Sequence, residues 1–212
     1  MPIKAEDLRL YLVMGSQDCL DRDPVAMLQS AISGGITCFQ FREKHSARNL
    51  RETVELGHSL RALCRTHGIP FLVNDRVDLA LILDADGVHL GQDDLPVPEA
   101  KRILPPSCVI GVSARSIPEA RQAQQEGADY IGIGPMFATT SKPDAKQPIG
   151  PKALTEIRQA LGDFPIVGIG GITVDNMAAV RQAGADGIAV ISAITRADSP
   201  KQAAQQLRQC YR

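Results

Sequence analysis

At 212 residues with a formal net charge of −1, the chain is long enough for one sizeable core and has no excess of positive charge to draw it to nucleic acid or an anionic membrane. Hydrophobic residues make up 44% but aromatics only 4%, with no Trp, so small and aliphatic side chains must fill the interior, as in a parallel sheet covered on both faces. Five scattered cysteines (Cys19, Cys38, Cys64, Cys108, Cys210), odd in number and without a CxxC pair, argue against a disulfide framework or zinc cluster and read as reduced thiols; with no signal-like leader and no membrane-length apolar run, a cytoplasmic protein is expected.

Short β-rich runs alternate with helical patterns along the chain. Strands are predicted at 10–14, 37–41, 71–73, 87–90, 109–112, 130–133, 166–169 and 187–190. Helical stretches follow near 24–33, 47–66, 76–82, 96–103, 117–125, 151–161, 174–182 and 199–210. Strict alternation implies right-handed crossovers and a parallel sheet, and eight units close a barrel. An open doubly wound sheet also alternates, but here the first strand runs into Gly15-Ser16-Gln17-Asp18, without the glycine-rich turn of a dinucleotide fold. The expected architecture is therefore an α/β (β/α)8 TIM barrel, a single domain over 1–212. An Ala-Asp turn recurs before three strands (Ala85-Asp86, Ala128-Asp129, Ala185-Asp186) and reads as one connector reused.

The first chemical motif is Gln40-Phe41-Arg42-Glu43-Lys44, leaving the second strand. Alternation points Cys38, Gln40 and Arg42 inward and Phe39 and Phe41 toward the helices. Buried Gln and Arg side chains need partners. Either Arg42 forms an interior ion pair, for example with Asp86, or these groups line a pocket mouth from which Lys44 reaches a phosphate. Next, Asp75 follows the third strand and Asp94 the fourth. Residues just beyond the carboxyl ends of neighbouring strands meet in space, and two carboxylates there repel unless a cation joins them. Mg²⁺ suits such a pair, since it completes its shell with water and phosphate oxygens. Both acids also precede helical patterns, where Asp is a favoured N-cap, so capping is a competing reading. Asn74 beside Asp75 is more than a cap requires.

The longest irregular stretch, 135–150, carries Thr139, Thr140, Ser141 and Lys142: hydroxyl donors and a mobile cation suited to an oxyanion, although such runs also form plain solvated turns. After the seventh and eighth strands come Gly170-Gly171 and Ile191-Ser192, where barrels often bind phosphate through main-chain N–H groups; a tight turn is the plainer reading. One rim would then hold a cationic anion site (Lys44, Asp75, Asp94, Lys142) and a neutral one (Gly171, Ile191, Ser192). That suggests two phosphorylated substrates, with the metal beside the group that leaves as a polyanion.

The segments QFREK at 40–44, VNDR at 73–76, HLGQDD at 89–94, IGVSARS at 110–116, GADYIGIGPMFATTSK at 127–142, IVGIGGIT at 166–173 and GADGIAVISAI at 184–194 resemble the thiamine phosphate synthase family, in order and over essentially the whole chain. The resemblance implies a TIM-barrel transferase of thiamine biosynthesis that couples 4-amino-2-methyl-5-(diphosphooxymethyl)pyrimidine to a thiazole phosphate carboxylate, releasing pyrophosphate and CO₂. By position, Gln40, Phe41, Arg42, Glu43, Lys44, Asn74, Ser113 and Lys142 would hold the pyrimidine diphosphate, with Arg42, Lys44, Ser113 and Lys142 catalytic. Asp75 and Asp94 would bind one Mg²⁺ per subunit. Thr139, Thr140, Ser141, Gly171, Ile191 and Ser192 would receive the thiazole phosphate. The implied partners are small phosphorylated molecules, with no nucleic acid and no membrane; a homo-oligomer is left open.

Two departures stand out. The loop usually reads Pro-Thr-x-Thr-Lys, whereas here Ala138 and Ser141 replace the Pro and the second Thr, and Arg115 stands where relatives often have His. The related thiazole tautomerase would call for that His and would not need the acid pair. A non-catalytic ligand-binding barrel would not need the metal and phosphate groups together.

Overall fold

Eight short parallel strands close on themselves in chain order: β1 (Leu10–Met14), β2 (Cys38–Phe41), β3 (Phe71–Asn74), β4 (Gly87–Leu90), β5 (Val109–Ala114), β6 (Tyr130–Ile133), β7 (Ile166–Ile169) and β8 (Gly187–Val190), with β8 returning to pair β1. The computed structural model describes residues 3–44, 46, 48–141 and 146–211. Helices on the outside follow the strands in turn: α1 (Pro24–Ser33), α2 (Leu50–Thr66), α3 (Val77–Ile82), α4 (Val97–Ile103), α5 (Ile117–Glu126), α6 (Gly150–Leu161) and α7 (Met177–Gln182), then α8 (Ser192–Thr195) and α9 (Pro200–Arg208) after β8. This is the TIM barrel that the alternation of elements predicts.

Strand alternation divides the core in two. Tyr11, Val13, Cys38, Leu72, Tyr130 and Val167 point inward and pack together, while Leu10, Leu12, Phe39, Phe41, Phe71 and Val73 face the helices. Gln40 and Arg42 are each 3% exposed on the inward parity, as alternation requires. The proposed Arg42–Asp86 pair does not describe the fold. Asp86 enters β4 at the amino end of the barrel, where its carboxylate accepts from Arg61 (3.1 Å) and from the Phe71 N–H (2.8 Å).

The recurring Ala-Asp connector has a physical basis. Asp86, Asp129 and Asp186 each accept, through a side-chain oxygen, the N–H of a residue at the start of the preceding strand: Phe71, Ile110 and Ile166, all at 2.8 Å. Each returns its own N–H to the carbonyl of that same residue. Thr37 does the same for Leu10 before β2, with Oγ1 accepting at 2.9 Å. The barrel floor is thus stapled between strands 1–2, 3–4, 5–6 and 7–8. Thr37 serves as this staple, which is why β2 begins at Cys38, one residue after its predicted start.

Asp186 also accepts from Arg158, whose other nitrogens bond the carbonyls of Gly162, Phe164 and Gly184. Asp186→Ala would leave a half-buried guanidinium and the Ile166 N–H without their acceptor. A loss of about 2–4 kcal/mol of unfolding free energy is expected, measurable by urea denaturation.

Helix boundaries follow their caps. Helix α2 starts at Leu50, not 47, because Asn49 and Glu52 form a reciprocal capping box. Helix α7 starts at Met177, not 174: the Thr173 N–H is held by Asn176 Oδ1 (2.8 Å), which keeps 173–176 a turn. Among the described residues, no helix is long and apolar enough to cross a membrane.

Candidate active site

All eight strands deliver their carboxyl ends to one rim, and a cavity of about 790 Å³ opens there. Its wall includes Arg42 and Lys44 after β2, Asn74 and Asp75 after β3, Asp94 after β4, and Ser113 on β5. Thr139, Thr140 and Ser141 come from the β6–α6 loop, Gly171 from the β7 exit, and Ile191 and Ser192 from the β8 exit. Three predicted residues stand elsewhere. Gln40 lies in the barrel interior, its amide donating to the Tyr11 hydroxyl (2.7 Å). Phe41 is core, tilted against Phe71 on the helix side. Glu43 turns back to the β1–α1 connection, accepting from Ser16 Oγ (2.5 Å) and the Ser16 N–H (2.8 Å). Lys142 lies outside the described residues.

The two acids meet as the strand-end argument requires. Asp75 has φ 60°, and the Arg76 N–H turns back to the Asn74 carbonyl (2.7 Å); the chain reverses sharply there and leaves the Asp75 carboxylate on the cavity wall. Asp94 folds onto its own loop, accepting the Gly91 N–H at 2.7 Å. Neither acid caps a helix: α3 begins after Arg76 and α4 after Pro96, with no side-chain cap at either. The capping reading is therefore set aside.

Lys44 Nζ sits 2.9 Å from Asp75 Oδ2. Burial pushes the Asp75 carboxyl up, but the hydrogen bond and charge of Lys44, with a hydrogen bond from Asp94, outweigh it and hold it below its ordinary value. Asp94 goes the other way: burial and the neighbouring Asp75 raise it. The pair therefore resists carrying two negative charges unless further positive charge joins it. No cluster of three or more His, Cys, Asp or Glu side chains suited to a metal occurs among the described residues. A donor set of two carboxylates facing an open cavity with room for a phosphorylated ligand fits Mg²⁺, which takes few protein ligands and fills its shell with water and phosphate oxygens.

Across the cavity the exits of β7 and β8 are neutral, with Arg115 and Lys146 the charged groups nearest the β6–α6 loop among the described wall residues. Gly171 has φ 65°, and the exits of β6 and β7 run backbone against backbone, the Met136 N–H on the Ile169 carbonyl (2.8 Å) and the Phe137 N–H on the Gly170 carbonyl (2.9 Å). Ser141 Oγ donates to Ser192 Oγ at 2.9 Å, tying the β6–α6 loop to the first residue of α8.

Three other wall residues, His89, Gln92 and Arg115, are given no role by the sequence, although Arg115 stands out as a departure from the family. His89 shares the inward parity of Gly91, which an alternation count along β4 could have detected. Gln92 braces the Ser113 carbonyl (2.7 Å), and Arg115 holds the far end of the β6–α6 loop through the Gln147 carbonyl (2.8 Å). Neither of those contacts has a local sequence signal.

A closed barrel that sets an acid pair with a lysine against a neutral, main-chain-lined wall on one rim has the makings of an enzyme for phosphorylated small molecules. The chain belongs to the thiamine monophosphate synthase family, whose sequence profile matches residues 10–194. It is 52% identical to the thiamine-phosphate synthase of Chloroflexus aurantiacus over 202 residues, covering 95% of this chain and 92% of that one. The thiamine-phosphate synthase of Geobacillus thermodenitrificans is 50% identical over 210 residues, covering 98% and 93%. Among solved structures, the thiamine phosphate pyrophosphorylase of Pyrococcus furiosus superposes with a TM-score of 0.87 at 39% identity, covering 98% of this chain and 96% of that one.

Proposed function

We propose that this member of the family makes thiamine phosphate in the rim cavity, as a transferase that moves a pyrimidinylmethyl group from diphosphate to the nitrogen of a thiazole phosphate carboxylate, with release of pyrophosphate and CO₂. The observation that carries this reading is the division of one cavity into a charged wall (Lys44, Asp75, Asp94) and a neutral wall (Gly171, Ile191, Ser192). One substrate must leave a polyanion behind, and the other needs only to be held by its monophosphate.

In this reading Arg42 and Lys44 take the diphosphate, with Asn74 and Ser113 beside them. Asp75 and Asp94 hold Mg²⁺, which when bound supplies positive charge for the departing pyrophosphate. The C–O bond breaks first, and the ring amino group stabilises the pyrimidinylmethyl cation that forms. Thr139, Thr140, Ser141, Gly171, Ile191 and Ser192 then present the thiazole nitrogen to that cation. The chain contributes mainly orientation, fixed charge and exclusion of the water that would otherwise capture the cation.

The acid pair and its lysine favour synthesis over a tautomerase-type reaction, in which no polyanion departs. The test is direct: purified protein with both substrates and Mg²⁺ should yield thiamine phosphate and pyrophosphate in equal amounts, and chelation of the metal should abolish both. No product under those conditions would overturn the reading.

A further inference from the structure

Beneath the cavity floor runs an unbroken line of buried polar contacts that the reaction as described does not use. Gln40 Nε2 donates to Tyr11 Oη at 2.7 Å, and Tyr11 Oη lies 2.9 Å from Tyr130 Oη. Tyr130 Oη lies 2.9 Å from His89 Nδ1, and His89 Nε2 lies 2.9 Å from Ser113 Oγ. The barrel makes room for it deliberately. A Cβ on Gly111 would stand 2.1 Å from the Tyr130 ring, and one on Gly132 would stand 3.1 Å from the His89 ring. Both tyrosines are at most 1% exposed, and the line emerges at the cavity wall through the half-buried His89 and Ser113. Burial also raises both phenols well above their ordinary range, which keeps their protons in place.

The contacts have a direction. A hydroxyl carries one proton, a neutral imidazole carries one N–H, and an amide nitrogen only donates. With Gln40 giving its N–H to Tyr11, a neutral His89 and an acceptor for every buried proton, one order satisfies all the groups: Tyr11 donates its hydrogen bond to Tyr130, and Tyr130 donates its own to His89 Nδ1. The imidazole then keeps its hydrogen on Nε2 and donates it to Ser113 Oγ. Ser113, on the cavity wall, is left with its own O–H directed at the ligand.

We propose that Gln40, Tyr11, Tyr130 and His89 form a proton-ordering chain that fixes Ser113 as a hydrogen-bond donor to a phosphate oxygen in the cavity. The alternative order, with the Gln40 carbonyl toward Tyr11, reverses every proton and makes Ser113 an acceptor, which would repel an anion. Gln40, Tyr11, Tyr130 and His89 are thus positioning residues, and Ser113 is the group that touches substrate. This function of the chain rests on the cavity's being the diphosphate site, but the proton order itself does not.

Two measurements test it. In ¹⁵N-histidine-labelled protein without substrate, at a pH where an ordinary imidazole is neutral, His89 should show a bare, accepting Nδ1 and a protonated Nε2, its signals assigned by their loss in His89→Gln. An Nδ1–H tautomer would overturn the proposal, whatever the enzyme's activity. In kinetics, Tyr130→Phe should lower kcat by about tenfold with little change in KM for the thiazole phosphate, the size expected for losing one oriented hydrogen bond to a charged group. The double variant Tyr130→Phe/Ser113→Ala should be no slower than Ser113→Ala alone, because the chain acts only through that hydroxyl. Independent, multiplying losses would show that Tyr130 acts by packing and would also overturn it.

Discussion

Asp94→Asn should lower kcat/KM on the order of 10²–10³-fold while leaving the fold intact, the range seen when one preorganised charge-stabilising group is removed from an active site. The substitution is chosen from the geometry. Asp94 Oδ2 accepts the Gly91 N–H at 2.7 Å, and the amide oxygen of Asn can accept it equally well. Only the charge is removed. Asp94→Ala would also break that turn contact and should lose about 1 kcal/mol of stability besides, so the two variants separate charge from structure. With Asn at 94, the Asp75–Lys44 pair at 2.9 Å is electrically balanced by itself and has little left to offer a divalent cation.

The pH dependence follows with its sign. Burial and the adjacent Asp75 raise Asp94, so in the metal-free protein it keeps its proton to a higher pH than an ordinary carboxyl. A cation bridging the pair must displace that proton. Mg²⁺ affinity of the protein alone, measured by calorimetry without pyrophosphate, should therefore fall as the pH drops through the raised value. In Asp94→Asn this dependence should disappear along with most of the affinity. A variant with native turnover and native Mg²⁺ response would show that Asp94 serves its loop and not a metal.

Much of this arrangement is legible in the sequence because the barrel obeys short-range rules. Each strand is a brief aliphatic run, and alternation alone places Gln40 and Arg42 inside and Phe41 outside. The rule that strand ends share a rim brings Asp75 and Asp94 together without any knowledge of tertiary structure. What stays hidden depends on closure of the barrel. Tyr11 and Tyr130 are 119 positions apart, and only a closed interior lets their hydroxyls meet. Glu43 reads as one more polar residue leaving β2, but Ser16, 27 positions earlier, takes both of its oxygens. Asp86 looks like a partner for Arg42 until the topology sets them at opposite ends of the barrel. The helix Ser192–Thr195, four residues long, is too short to show any period. Motif resemblance carried Phe41 and Glu43 into the candidate site because they sit within a matching string; the fold gives each of them different work.

Gly171→Val is the complementary expectation for the neutral wall: KM for the thiazole phosphate should rise tenfold or more, with a smaller loss of pyrophosphate binding in the presence of Mg²⁺, because Lys142 follows Ser141 on the same loop. Gly171 has φ 65°, where a β-branched residue is strained by about 1–2 kcal/mol. Space is the larger obstacle. A Cβ there would stand 2.5 Å from the Ala138 carbonyl oxygen and 2.8 Å from that of Phe137, and both are backbone atoms that cannot swing aside. Relief requires the β6–α6 loop to move away from β7, and Ser141, bonded to Ser192, moves with it. Displacing a positioning group by about 1 Å can cost on the order of 10²-fold in rate, so the substrate that loop receives should suffer most. Lys44, Asp75 and Asp94 leave β2, β3 and β4, whose registers do not depend on that contact. Gly162→Val supplies the control: its φ is 60°, yet nothing lies within 4 Å of the added Cβ, so it should lose stability without a selective change in KM. Equal losses for both ligands in Gly171→Val would mean that the walls are one site, since a loop moved on one side could then not spare the other.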